Sequence, residues 1–311
     1  MKRFIFSILS FIIPIAIGLI VIEYGVRRIP NDYSYKNGWL EKNASCVNIL
    51  ALGSSHGFYG IQPQAFTNTT FNAAHVAQSL KYDAFILDKF IEKADSLQLV
   101  ILPISYSSVL FDLESDPEWW RIKKYCIYYH CPYHKWDLKY RTEIVGLKML
   151  NRIKRSIKYI SDDVDDITCD TLGWCKLPPQ NLNDNDWNLI GIAASNRHTK
   201  EWNPNIVKEN KKYIEDIITH CSNNNVKVLL LSTPTYCTYY KNVDEKQLEM
   251  MSHCCDSFSI KYENTYYLNL FKDNQFTKED FRDPDHLNGK GAKKLSILLN
   301  DYCNNMILID D

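Results

Sequence analysis

The chain has 311 residues, with 36 basic and 37 acidic side chains and a formal charge of −1. No basic stretch is interleaved with aromatics, so the sequence carries no electrostatic footprint for nucleic acid and none is expected as a partner. Once an apolar N-terminal stretch is set aside, roughly 280 residues remain, a length that suits one large α/β domain with an insertion better than two independent units.

Met1-Lys2-Arg3 precedes an uncharged run from Phe4 to Ile22. At about 1.5 Å per residue this run nearly spans a hydrocarbon core of ~30 Å, which predicts a membrane anchor over residues 1–28 with its transmembrane part at about 4–22. A cleaved signal peptide fits less well, because small residues are missing near Ile22 and the run exceeds the usual ~7–15-residue apolar region. Lys2 and Arg3 favour a cytoplasmic N-terminus, against Arg27 and Arg28 on the other flank. The expected placement is single-pass in the cytoplasmic membrane, with residues 31–311 on the extracytoplasmic side.

Next comes Asn48-Ile49-Leu50-Ala51-Leu52-Gly53-Ser54-Ser55-His56-Gly57. Ile49 to Leu52 reads as a short buried strand, and Gly53 lets the chain turn sharply into a small-residue loop. A serine at the C-terminal tip of such a strand is exposed above the sheet, where N–H groups of the following turn can face an oxyanion. The plainer reading makes Ser54 and Ser55 helix caps.

Leu80, Ala84, Leu87 and Ile91 mark the core face of a helix over about Gln78 to Ala94. Leu97 to Ile104 reads as a strand, the Ile206–Ile218 region as a helix, Val226 to Leu231 and Tyr266 to Leu270 as further strands. Fully apolar strands separated by amphipathic helices predict a parallel sheet covered on both faces, the three-layer α/β class. Its ligands bind beyond the strands' C-terminal ends, where Ser55, Ser105, Thr233 and the Asp283 loop all fall.

Near the end, Asp283-Pro284-Asp285-His286 stands just ahead of an amphipathic helix carrying Ala292, Leu295, Leu298, Leu299 and Tyr302. A serine needs an imidazole to take its proton, and the imidazole needs a carboxylate to fix its tautomer and stabilise the imidazolium. Ser55, His286 and Asp283 are therefore candidates for nucleophile, base and orienter.

These two blocks resemble those of the SGNH (GDSL-like) hydrolase superfamily: Gly53-Ser54-Ser55 is similar to its Gly-Asp-Ser block, and Asp283-Pro284-Asp285-His286 to its Asp-x-x-His block. The resemblance implies a flavodoxin-like three-layer fold and serine ester chemistry without a cofactor or metal. Two inner blocks depart from the family pattern. Ala77 stands where a glycine N–H would enter the oxyanion hole, and Ser105, after Leu99–Leu102, stands where an asparagine would donate. The N-terminal anchor and these departures make the chain similar to the membrane-anchored branches that acylate or deacylate envelope polysaccharides. By that likeness the expected partners are an acylated or acyl-accepting glycan, membrane lipid and a multi-spanning membrane O-acyltransferase.

Residues 110 to about 200 break the strand–helix alternation and read as an insertion capping the site. It holds Trp119, Trp120, Trp136, Trp174 and Trp187 and a basic run at Arg152, Lys154, Arg155 and Lys158. The tryptophans read as a satellite core or as a sugar-stacking platform, and the basic run as a solvated helix face or a contact for anionic lipid. The ten cysteines suit an oxidising compartment, with Cys126 and Cys131, and Cys169 and Cys175, spaced for local staples. Cys126, His130, Cys131 and His134 match none of the usual zinc spacings. His75 reads as a packed or loop histidine. Three functions follow: an esterase, an O-acyltransferase in which a sugar hydroxyl replaces water, or a catalytically silent binding or assembly protein of an envelope glycan pathway.

Overall fold

The computed structural model describes residues 2–133, 136–145, 154, 157–159, 161–162 and 164–308. Two compact units form: Met1–Asn37 with Trp120–Thr168, and Gly38–Trp119 with Cys169–Asp311. Of residues 110 to about 200, Trp120–Thr168 fall in the first unit and those before and after it in the second. His134, Arg152 and Arg155 lie outside the described residues.

The second unit is built on five strands, β1 (Ile49–Ala51), β2 (Thr70–Asn72), β3 (Leu99–Pro103), β4 (Lys227–Ser232) and β5 (Thr265–Asn269). They run in the order β2-β1-β3-β4-β5 and every pairing is parallel, with Ile49 beside both Thr70 and Leu99, and Leu229 beside Ile101 and Tyr266. This is the flavodoxin-like order, and its direction reverses between β1 and β3, where open α/β sheets leave a crevice beyond the strand ends.

The sheet's interior follows from its side-chain period of two. Ile49, Ala51, Leu99, Ile101, Leu229 and Leu231 join one buried cluster with Phe281, Leu287, Leu295 and Leu299, so the C-terminal helix Gly289–Leu308 covers that face. On the other face Leu50 shares a small cavity wall with Leu87, Phe90 and Ile91 of helix Leu80–Ile91. That helix packs against Pro204–Asn223. Truncating Leu295 or Leu299 to alanine would cost about 2–5 kcal/mol each, because both are fully buried.

Local chemistry explains where helices begin. Asn203 accepts from the N–H groups of Asn205 and Ile206 ahead of Pro204 at the first helical position. Asn183 and Asp186 cap each other reciprocally at the start of Asp184–His198. β2 escapes the sequence pattern because three residues cannot display alternation. It is held by Trp39 stacking on Phe71 at 4.0 Å and by Asn72, whose amide donates to the carbonyls of Gly57 and Ile61.

Several cysteines fill this core rather than crosslink it. Cys221, Cys254, Cys255 and Cys303 are free and buried. Burial pushes the Cys303 thiol up to about 12 and that of Cys254 up to about 11, so both stay protonated and unreactive.

In the first unit, helix Lys2–Arg27 is long and apolar enough to cross a membrane, and its apolar window is wholly exposed. Charged groups gather at its lower end. The Glu23 carboxylate accepts the N–H groups of Glu143 and Ile144 at 2.9 and 3.0 Å, and the Arg27 guanidinium donates to the carbonyl of Arg141 at 2.6 Å. The buried Glu143 carboxylate is compensated by Lys124 at 2.6 Å and the Tyr128 hydroxyl at 3.1 Å, as a buried charge requires.

Candidate active site

Ser55 opens the short helix Ser55–Gly60 directly after β1 and its exit turn. Gly53 makes that turn at φ +106°, and a Cβ there would stand 3.0 Å from the Pro103 ring, so both backbone and space call for glycine. The turn is pinned from two sides: Gly53 N–H donates to Asp83 Oδ1 at 2.7 Å, and its carbonyl accepts from His75 N–H at 3.2 Å. Asp83 also accepts from Gln78 at 2.7 Å, yet burial outweighs both bonds and pushes its carboxyl up to about 7. His75 is buried beside Phe58, in keeping with a packing role.

The Asp283 loop approaches from the other end of the chain. Asn288 shapes it, donating to the carbonyls of Glu279 and Phe281 and accepting from Lys290 N–H and Gly291 N–H. Asp283 Oδ1 accepts the N–H groups of Asp285 and His286, each at 2.9 Å. Asp283 then meets His286 Nδ1 at 3.1 and 3.2 Å, while His286 Nε2 lies 2.9 Å from Ser55 Oγ. Burial raises the Asp283 carboxyl, but the hydrogen bond and charge of His286 outweigh it and hold it below the usual carboxylate range. For His286, burial lowers the pKa, while the charge of Asp285 and the bond and charge of Asp283 raise it further, leaving a net rise. With Asp283 ionised, Nδ1–H donates and Nε2 is left to accept the Ser55 proton.

Three further residues complete the cluster, and none stands out in the sequence as a site residue. Asp285, 1% exposed, places Oδ1 at 2.9 Å from His56 Nε2 and Oδ2 at 3.7 Å from both His198 Nδ1 and His286 Nε2. Burial pushes its carboxyl up, but the three facing imidazoles more than reverse this, and the group stays ionised. His198 comes from helix Asp184–His198, with Nδ1 also 2.9 Å from the Tyr239 hydroxyl; burial pushes it down to about 4 despite the charge of Asp285, so it is neutral near pH 7. His56 stacks on His286 at 5.3 Å and 19°. The available signals are a histidine immediately after Ser55 and a second acid inside the Asp283–His286 block.

Ala77 and Ser105 both border the same pocket as Ser55 and His286. Ala77 has φ +56°, the left-handed conformation that favours glycine. Ser105 Oγ is 3.0 Å from His56 Nδ1 and 3.3 Å from Ser54 Oγ. Thr233 is buried and does not border the pocket.

The pocket measures about 340 Å³ and lies beyond the ends of β1 and β3, with Phe111, Asp116, Glu118, Arg197 and Lys200 on its wall. Among the described residues no tryptophan lines it; Trp174 and Trp187 are buried, Trp174 donating its indole N–H to the Tyr59 carbonyl at 2.8 Å. His56, Asp285 and His286 offer ligand atoms within 4.8 Å of one another, a donor set open to a divalent cation. In this structure those atoms are engaged with one another, with Ser55 and, across the His56 ring, with Ser105.

No family profile matches the sequence, and comparison with curated proteins gives no match. Among the solved structures to which the chain is similar are three bacterial proteins. One from Streptococcus pneumonia, provisionally titled a platelet activating factor, shares 14% identity over 94% of this chain and 98% of its own, at a TM-score of 0.45. One from Bacteroides fragilis, provisionally titled an acylhydrolase, shares 9% over 86% and 95%, at 0.44. A GDSL-like lipase from Bacteroides thetaiotaomicron shares 11% over 88% and 99%, at 0.43.

Proposed function

We propose that this protein is a membrane-anchored serine esterase or O-acyltransferase acting on acyl esters of a cell-envelope polysaccharide. The observation that carries the reading is the Ser55–His286–Asp283 chain, with Ser55 Oγ 2.9 Å from His286 Nε2 and Asp283 on Nδ1. His286 takes the Ser55 proton as Oγ attacks the ester carbonyl, and the tetrahedral oxyanion is held by the N–H groups of Ser55 and Ala77 together with Ser105. His286 then protonates the leaving alcohol, and an acyl group stays on Ser55. Water attacks that ester in an esterase, a sugar hydroxyl in a transferase, with His286 again as base.

The pocket's modest volume and charged wall suit a short acyl group on a polar, hydroxylated carrier better than a long acyl chain. The exposed apolar helix Lys2–Arg27 supports attachment to a membrane, which is where a multi-spanning acyltransferase would supply or receive the acyl group. A serine-directed fluorophosphonate tests the chemistry: it should label the protein at Ser55, and Ser55→Ala should abolish labelling. Labelling at another serine, or none with a folded protein, would overturn the enzyme in favour of the silent binding protein.

A further inference from the structure

A closed ring of hydrogen bonds lies beside the pocket, and one side chain completes it. The Gly53 carbonyl accepts from His75 N–H at 3.2 Å, and the His75 carbonyl accepts from Gln78 N–H at 3.1 Å. The Gln78 side-chain amide donates to Asp83 Oδ1 at 2.7 Å, and the same oxygen accepts from Gly53 N–H at 2.7 Å. Gly53 stands two residues before Ser55, and Gln78 directly follows Ala77. Ala77, at φ +56°, sits inside the turn that His75 and Gln78 close. Ser55 N–H, at the first position of its helix, has no acceptor within that helix. Among the described residues Ala77 N–H meets no acceptor either.

We propose that Asp83 is a positioning residue for the reaction: by tying Gly53 to Gln78 it fixes the separation of the Ser55 and Ala77 N–H groups that receive the oxyanion. This rests on the serine-ester reading above. Donors of this kind work only when they lie about 2.7–3.1 Å from the oxyanion, and a misplacement of about 1 Å can cost a hundredfold in rate. Without Asp83 the two turns keep, beyond the strand ends, the direct bond from His75 to Gly53, which is the longest in the ring. An alanine at φ +56° costs roughly 1–2 kcal/mol relative to its ordinary backbone conformation, so a loosened Ala77 turn has reason to relax away from the pocket.

The side chain is well placed for this. Asp83 and Gln78 are both buried, and Asp83 N–H donates to the Ser79 carbonyl at 3.1 Å in the first turn of helix Leu80–Ile91. The tie holds in either charge state of the carboxyl. A backbone N–H can only donate, so Oδ1 accepts from Gly53 in both, and a carboxyl proton, when present, is on Oδ2. Facing an oxygen that already accepts, Gln78 must present its NH2 rather than its carbonyl. Asp83 borders the pocket, yet among the described residues it makes no hydrogen bond to Ser55, His286 or Asp283, so it acts through the two turns.

The full-length protein and a short-chain acyl ester provide the test. Asp83→Ala should lower kcat by about ten- to a hundredfold with KM changed less than about threefold, since the oxyanion forms only in the transition state. Asp83→Asn keeps an acceptor oxygen and should restore kcat to within about threefold of the wild type. Gln78→Met fills the same space without an N–H and leaves Gly53 its bond to Asp83, so it should fold even where Asp83→Ala does not. It should lower kcat about tenfold in the same manner, and the double variant with Asp83→Ala should be no worse than about threefold below Asp83→Ala, because one tie is broken in both. Wild-type kcat in Gln78→Met would overturn the tie. So would a loss in either variant that appears in KM as much as in kcat, or an Asp83→Asn protein as slow as Asp83→Ala. If instead the wild-type protein neither turns over esters nor accepts the fluorophosphonate at Ser55, the ester reading itself fails, and the role of Asp83 with it.

Discussion

The N–H of Gly53 donates to Asp83 at 2.7 Å, so the turn that presents Ser55 hangs on a buried carboxyl that burial has pushed up to about 7. The folded protein therefore holds this proton in a range, between about pH 4 and pH 7, where the unfolded chain has lost it. Stability from this group is complete below about pH 4 and is lost as pH rises through 7. Asp83→Asn keeps an acceptor oxygen for Gly53 and removes the titration. The variant should be the more stable protein at pH 8, by up to about 4 kcal/mol, with the gap closing toward pH 4. Denaturant midpoints at both pH values check this, and a gap that is constant with pH would refute it.

Ala77 carries a side chain at φ +56°. An L-residue there costs roughly 1–2 kcal/mol that glycine avoids, offset in part by the extra freedom of glycine in the unfolded chain. Ala77→Gly should raise the melting temperature by a few degrees, and Ala77→Val should lower it, because branching at Cβ worsens the left-handed clash. Equal melting temperatures for all three would show that the strain is relieved elsewhere.

What the sequence displays well is whatever its short-range pattern encodes. The buried strands β1, β3 and β4 are continuous apolar runs, and helix Pro204–Asn223 announces itself by its proline and its apolar spacing. Ser55 and the Asp283–His286 block are each visible as a turn followed by a helix, and the fold closes the long gap between them. His56, Asp285 and His198 are different in kind. Asp285 and His56 are separated by 229 positions, and neither has a local feature that requires the other. Their relation exists only once the β2-β1-β3-β4-β5 order brings the two loops to one end of the sheet. β2 is hidden for a simpler reason, being three residues held by Trp39 and by the bonds of Asn72 rather than by its own propensity.

The lower end of the N-terminal helix alters where a membrane-free form should begin. Glu23 holds the backbone of Glu143 and Ile144, and Arg27 that of Arg141. A chain starting at Glu23 keeps these bonds, whereas one starting at Asn31 leaves three backbone groups without them, at about 1–3 kcal/mol for each that stays buried. The full-length protein should stay with membranes through a carbonate wash, and the Glu23 form should be soluble and melt at a higher temperature than the Asn31 form. Release of the full-length protein by carbonate would end the anchor reading, and equal melting temperatures would remove the role of Glu23.

His286 must be neutral to take the Ser55 proton, yet Asp285 and Asp283 outweigh burial and raise its pKa above the ordinary value for histidine. Activity against an acyl ester should therefore rise with pH through a midpoint above about 6.5. The same interaction stabilises the fold in the opposite sense: it is complete below the unfolded pKa and is lost as pH rises through the folded one. Asp283→Asn removes one of the two raising carboxylates and the group that fixes the Nδ1 proton. The activity midpoint should move to lower pH, and kcat should drop about a thousandfold or more because the imidazole is left in the wrong tautomer. Ser55→Ala and His286→Ala should each lose nearly as much as the double variant, since the members of such a relay act as a unit. The pH dependence of kcat/KM for the wild type and the four variants decides the matter: losses that add independently, or an Asp283→Asn midpoint that stays where it was, would mean that His286 is not the base that Asp283 holds.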